Sequence, residues 1–198
     1  GQYYVGDYDR DTHRFVPDYH GRCNHSAYYL GNLHAPSATI DDSGRFLAFF
    51  NVNEGKAAPE WHDVMTVPRH FSLNEDNSLR IEPAEELESL RSNERRLGAI
   101  EIPANTEVRL DGVGGKAIEI EAQIDPGQAR EVGLCVLQSA DGTEETRISL
   151  LSGRPDRLKG STLSIDVSAA SLRGDVYGRP PETGPFELED GENLHLQI

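Results

Sequence analysis

The chain is poor in lysine, tryptophan, methionine and cysteine, and the shortages narrow what it does. Only three of its nineteen basic residues are lysines (Lys56, Lys116, Lys159), and thirty-four acids leave a net charge of −15. That field repels a polyanion such as DNA or an anionic membrane surface. No Lys/Arg stripe offsets it, so no nucleic-acid partner and no membrane partner are expected. Two cysteines, Cys23 and Cys135, stand far apart with no partner motif. They make neither a zinc site nor a disulfide framework and read as two buried or idle thiols. No stretch approaches the about 18 apolar residues of a membrane-spanning helix, and no cationic-then-apolar segment opens the chain. The start at Gly1 fits a mature, truncated or cleaved terminus alike, which leaves the compartment open.

What is present describes a globular protein. The chain has 198 residues, 36% of them hydrophobic and 27% charged, which argues against disorder and low complexity. At about 150 residues per domain, that length allows one domain or two small ones. Rings are distributed unevenly. Twelve of fourteen Phe, Trp and Tyr and six of seven His fall within the first 71 residues, leaving only Tyr177, Phe186 and His195 beyond. Two regions with different roles follow from that shift: one gathers rings and imidazoles, the other is plain packing.

Between the regions lies one helical pattern. Glu82-Pro83-Ala84-Glu85-Glu86-Leu87-Glu88-Ser89-Leu90-Arg91 places proline at the start, acids in the first turn, and Arg91, Arg95 and Arg96 at the far end, as the helix dipole favours. It predicts a short connecting helix at about 83–92, with Leu87, Leu90 and Leu97 on one face and a boundary near 97–99. After it, Ala117–Ile124 alternates strictly, with Ile118, Ile120, Ala122 and Ile124 inward, followed by the turn Asp125-Pro126-Gly127. Glu131–Ser139, Thr146–Leu151, Thr162–Val167 and Glu192–Ile198 continue the strand pattern, broken at Asp141-Gly142, Ser152-Gly153, Arg173-Gly174 and Asp190-Gly191. Period-two strands with turn pairs between them indicate an antiparallel β-sandwich. Gln2–Gly6, Arg45–Val52 and His62–Leu73 add strands before the helix, with tight turns at 41–44 and 74–77, so the chain is nearly all-β. Leu194, Leu196 and Ile198 share a face and the chain stops on the last, for which truncation is the simpler reading.

Specific residues carry a resemblance. Asn32-Leu33-His34-Ala35-Pro36-Ser37-Ala38-Thr39, then Asp41-Asp42-Ser43-Gly44-Arg45 and an apolar strand, resembles a blade of glycoside hydrolase family 32, which includes invertases, levanases and inulinases. Trp61…Met65-Thr66-Val67-Pro68-Arg69…Ser72-Leu73 is similar to the family's Trp…Met-Thr-Leu-Pro-Arg…Ser-Leu. Leu79…Pro83…Glu86-Leu87…Leu90-Arg91 is similar to its closing linker, and Tyr3-Tyr4-Val5-Gly6-Asp7-Tyr8-Asp9 resembles a strand of an earlier blade. The resemblance runs in order from residue 2 to about 96, and more loosely to the end. It implies the last blade or blades of a five-bladed β-propeller over 1–82, a short helical linker over 83–98, and a β-sandwich, truncated at its C-terminus, over 99–198.

The implied chemistry is hydrolysis of terminal fructosides in sucrose, levan or inulin by two carboxylates flanking the scissile bond, one kept protonated. The family takes these from a nucleophile strand of the Asn-Asp-Pro type, an Arg-Asp-Pro and a Glu-Cys. None is present in this chain, so no catalytic residue is carried over. Asp41 and Asp42 read as turn residues. Asp7, Asp9 and Asp11 read as a solvated acidic edge, since no glycine-spaced loop closed by Glu follows. His13, His20 and His25 lack zinc spacing. No metal or cofactor is expected. By resemblance His34 stands where the family has a tyrosine near the sugar pocket, and Phe50 where a tryptophan commonly lines it. These two are the candidate substrate-binding residues, while Tyr29 replaces an Asp that often precedes the glycine. Trp61, Pro68 and Arg69 are expected to be structural, with the Arg69 guanidinium salt-bridged between blade and linker. Asn24-His25-Ser26 matches a glycosylation sequon, relevant only to a secreted eukaryotic chain.

Two functions compete. In the first, the chain is the C-terminal portion of a fructosidase-like hydrolase, inactive alone, with missing propeller segments or a second chain covering residues 1–80. In the second, the sandwich is a non-catalytic carbohydrate-binding or assembly module, a role for which two aromatics in its half are a poor platform.

Overall fold

In a computed structural model, alternating apolar residues with glycine, asparagine and aspartate turns between them form thirteen strands among the described residues. The structure describes residues 1–25, 32–52, 60, 64–152, 160–176, 178–188 and 191–198. Trp61, Tyr29, His62, Ser26 and the breaks at Gly153 and Asp190 lie outside the described residues. The chain divides into two units, Gly1–Ser89 and Leu90–Ile198. Every strand pair among the described residues is antiparallel, and no described helix is long and apolar enough to cross a membrane.

The first unit opens with a hairpin of β1 (Gln2–Asp9) and β2 (Arg14–Arg22), a strand that the irregular run Arg14–Arg22 does not announce. The Asp9 carboxylate closes its turn, accepting from the amides of Asp11 (2.8 Å) and Thr12 (3.2 Å) and from the Thr12 hydroxyl (2.6 Å). At the bulge between Val5 and Gly6 only glycine fits, because a Cβ on Gly6 would lie 2.1 Å from the Val16 carbonyl oxygen. Tyr3 and Tyr19 stack on one side, and the Tyr3 hydroxyl accepts from the Leu79 amide at 2.9 Å. The other side exposes Tyr4, stacked on His20 at 4.6 Å, together with Tyr8 and Phe15.

The second sheet of this unit has the order β3 (Leu33–Ile40), β4 (Phe46–Val52), β6 (Arg69–Leu73), β7 (Leu79–Pro83), with the short β5 (Val64–Met65) also on β4. The strand expected at 62–73 is therefore two. Pro68 has no N–H for the ladder, and the chain leaves the sheet over Thr66–Pro68. One side chain and two backbone bonds repair the gap: the Phe50 amide donates to Thr66 Oγ1 (3.1 Å), the Thr66 amide donates to the Phe50 carbonyl (2.8 Å), and the Ala84 amide donates to the Pro68 carbonyl (3.0 Å). Register puts Phe46, Ala48, Phe50, Arg69, Phe71 and Ile81 on one face, and His34, Ser37, Phe49, Asn51 and His70 on the other.

The predicted helix at 83–92 is a six-residue 3-10 helix, Glu85–Leu90, with three acids in its first turn and no base in its last. The arginines expected to complement its dipole are engaged elsewhere. Arg91 donates from Nε and Nη2 to the Glu119 carboxylate, both at 2.7 Å, and Arg96 donates to Glu94 at 2.6 Å. No apolar stripe forms either, since Leu90 is 76% and Leu97 48% exposed.

The second unit is a β-sandwich. One sheet has the order β12 (Glu182–Phe186), β11 (Ser161–Asp166), β10 (Thr146–Leu151), β9 (Glu131–Val136); the other pairs β8 (Glu121–Ile124) with β13 (Leu194–Gln197). Between them Ile148 and Leu150 of β10 pack with Leu194 and Leu196 of β13, ringed by Ala122, Ile124, Val132, Leu134, Leu163 and Phe186. The alternation read from Ala117 overshoots. The strand begins at Glu121, Ile118 is 44% exposed, and only Ala122 and Ile124 of the expected inward set reach the core ring. Gly133 is required on β9, where a Cβ would sit 2.0 Å from the Ile148 carbonyl oxygen.

Candidate functional site

The two residues singled out for sugar contact stand close along the sheet yet on opposite faces. His34 faces Asn51 across the β3–β4 ladder, and Asn51 follows Phe50, so successive side chains diverge. Phe50 is a core ring. It is 7% exposed and packed on Phe71 at 5.9 Å, which in turn meets Phe46 at 5.9 Å, leaving little ring face for a ligand.

His34 is different. Its Nε2 is buried and has no hydrogen-bond partner, the one such side-chain atom among the described residues. A buried polar atom without a partner costs about 1–3 kcal/mol, so native structures keep few of them, and each asks for a physical reason such as a water or ligand. Immediately after His34 the β3 ladder bulges. The register steps from His34 opposite Asn51 to Ser37 opposite Phe49, so Ala35 and Pro36 together face Phe50. Ala35 has φ +47°, a left-handed conformation that disfavours any residue with a Cβ. Strain of this kind persists where surrounding structure imposes it, and it gathers at ligand sites. The sequence carried no signal for it. A residue before proline is steered toward extended backbone, not toward the left-handed region.

The carboxylates behave as turn and pairing groups. Asp41 accepts from the Ser43 hydroxyl (2.7 Å), the Ser43 and Arg45 amides (2.9 Å each) and Arg45 Nε (2.7 Å), which holds its pKa well below the ordinary range. Arg45 also pairs with Glu86, tying the β3–β4 hairpin to the 3-10 helix. The Thr12 hydroxyl and amide lower Asp9, and the Ser78 hydroxyl and amide lower Asp76. Hydrogen bonds from Ser139 and Thr143 bring Asp141 to about 2, and Arg91 brings Glu119 to about 2. Every shifted carboxylate among the described residues moves downward. A glycosidase acid needs the reverse, a carboxyl kept protonated near neutrality.

The expected salt bridge of Arg69 is not made with any described residue. Its guanidinium is half-buried on the apolar face, across from Ala48 and Pro83, and desolvation lowers its pKa. Pro68 serves through its carbonyl, as described above. Two other histidines have local partners: His13 Nδ1 meets the Tyr8 hydroxyl at 3.1 Å and His20 Nε2 meets Gln2 Oε1 at 3.3 Å.

The chain is all-β, with an antiparallel sandwich in its second unit and ring-bearing sheets in its first. Residues 86–198 match the family model described as Glycosyl hydrolases family 32 C terminal. The chain belongs to glycoside hydrolase family 32. Among solved structures, that of sucrose-6-phosphate hydrolase from Lactobacillus gasseri is similar over 100% of this chain and 38% of its own, with TM-score 0.73 and 20% identity. A family 32 glycoside hydrolase from Bifidobacterium adolescentis aligns over 99% of this chain and 33% of its own, with TM-score 0.44 and 15% identity. The chain thus spans about two fifths of the length of the Lactobacillus gasseri structure. No curated protein matches it.

Proposed function

We propose that this chain is the C-terminal portion of a retaining β-fructosidase-like hydrolase, in which residues 1–82 complete a five-bladed propeller, residues 83–98 link, and residues 99–198 form the sandwich. The family match at 86–198 carries the reading. The fold shared over the whole chain with an enzyme named for hydrolysing sucrose 6-phosphate supports a sucrose-type fructoside as the substrate class. The catalytic carboxylates lie in the preceding part of the polypeptide, and the shifted carboxylates among the described residues hold turns or pair with arginines. Tyr4, Tyr8 and Phe15, each about half exposed on one side of the hairpin, support cover for residues 1–80 by further propeller segments or a second chain. Within this chain His34 is the residue that meets the sugar, because its buried ring nitrogen alone among the described residues awaits a partner. Phe50 backs the same sheet from its other face.

The test is the full-length polypeptide of which these 198 residues are part, assayed for fructose release from sucrose, levan and inulin. Release by the full-length protein and none by residues 1–198 is the expected result. A full-length protein inert on every fructoside refutes the proposal.

A further inference from the structure

We propose that Ala35 is a positioning residue whose left-handed backbone orients the His34 imidazole toward a sugar hydroxyl; this rests on the reading of His34 as the sugar contact. Three observations meet at one point of the sheet. Ala35, at φ +47°, is a non-glycine residue in a conformation glycine adopts freely. It forms with Pro36 a two-against-one bulge opposite Phe50, directly after His34. His34 Nε2, one residue away, is the one buried side-chain nitrogen without a partner among the described residues.

Pro36 steers the residue before it toward extended backbone, so the left-handed Ala35 is imposed from the neighbouring strand. Phe50, which the bulge faces, is held by both its amide and its carbonyl to Thr66, so β4 offers no slack. A regular ladder would carry Ala35 opposite Phe50 and continue the alternation. The bulge instead interrupts the pairing between His34 and Ser37 and sets the ring at the point where the strand changes course. Re-aiming a side chain is what bulges near binding sites do. Glycine at position 35 permits the same backbone without enforcing it. The change relieves strain in the folded state while freeing the His34 ring from one imposed direction.

Opposite signs on stability and binding separate this role from a merely structural one. The experiment uses the full-length polypeptide of which these 198 residues are part, labelled with 15N at histidine and titrated with fructose and with glucose, the two halves of sucrose, alongside thermal melting. In the wild type, sugar is expected to move the His34 ring resonances, and His34→Ala to abolish binding. Ala35→Gly is expected to weaken binding about tenfold, the factor for one lost hydrogen bond, with an unchanged or higher melting temperature. If His34→Ala weakens binding and Ala35→Gly leaves it at the wild-type value, the positioning role is wrong and the contact stands. If neither sugar moves the His34 resonances, the contact itself is wrong and both ideas fall. An Ala35→Gly chain that melts well below the wild type also overturns the inference, because the left-handed backbone would then not be the strained element.

Discussion

Leu194 tests the account of the sandwich most directly. Its side chain is 0% exposed, and it packs with Ile148, Leu150 and Leu196 where β13 meets β10. Leu194→Ala removes three carbons, each worth about 0.8 kcal/mol of transfer free energy, so about 2.4 kcal/mol is lost before any cavity forms. The site relaxes little, because β13 is held through β8 and by the reciprocal Ile120–Ile198 backbone bonds of 2.8 and 2.9 Å. The cavity term therefore adds to it, for about 3–4 kcal/mol in total. At a urea slope of about 2 kcal/mol/M, the midpoint should fall by about 1.5–2 M, read by circular dichroism. His195→Ala is the control, since the neighbouring side chain is exposed and should change stability by no more than about 0.5 kcal/mol. A Leu194→Ala loss as small as that of the control refutes the two-layer packing.

Three further outcomes follow from the same geometry. Gly133→Ala drives a Cβ to 2.0 Å from the Ile148 carbonyl oxygen and 2.7 Å from Ser149 Cα, so backbone must move; a loss of about 1–3 kcal/mol in urea is expected, and a neutral result contradicts the close approach of β9 and β10. Thr66→Val leaves the Phe50 amide buried without an acceptor and should cost about 1–3 kcal/mol, whereas Thr66→Ser, which keeps the hydroxyl, should melt near the wild type. Arg91 holds Glu119 at about 2 when folded, below its ordinary 4.5, so its contribution is present above pH 4.5 and is lost as pH falls from 4.5 toward 2. Glu119→Gln should flatten that part of the urea-midpoint profile, and an unaltered acid limb counts against the pair.

Where pattern and structure agree, a single local rule is at work. Thr146–Leu151 forms the strand read from its alternation, and Asp41 and Asp141 close the turns expected of them. Where they part, a distant residue intervenes. The helix at 83–92 shrinks to one 3-10 segment because Glu86 is drawn to Arg45 and Arg91 to Glu119, partners 41 and 28 residues away in sequence. The strand from Ala117 starts late because backbone pairing begins only at Ile120, which exchanges both of its bonds with Ile198. Arg14–Arg22 is polar and interrupted by Pro17, yet it becomes β2 because Gln2–Asp9 supplies its hydrogen bonds.

Composition, turn chemistry and motif order alone determined that this chain is all-β, carries its rings in the first part, and belongs with the family 32 glycosidases. These properties are written in adjacent residues, and period-two alternation needs no knowledge of partners. The separation of His34 from Phe50, the lone Nε2 and the left-handed Ala35 were decided by tertiary structure. Which face a strand residue takes, and whether its polar atoms are met, depends on register with a neighbouring strand. One bulge at Ala35-Pro36 changes both without leaving a mark in the local sequence.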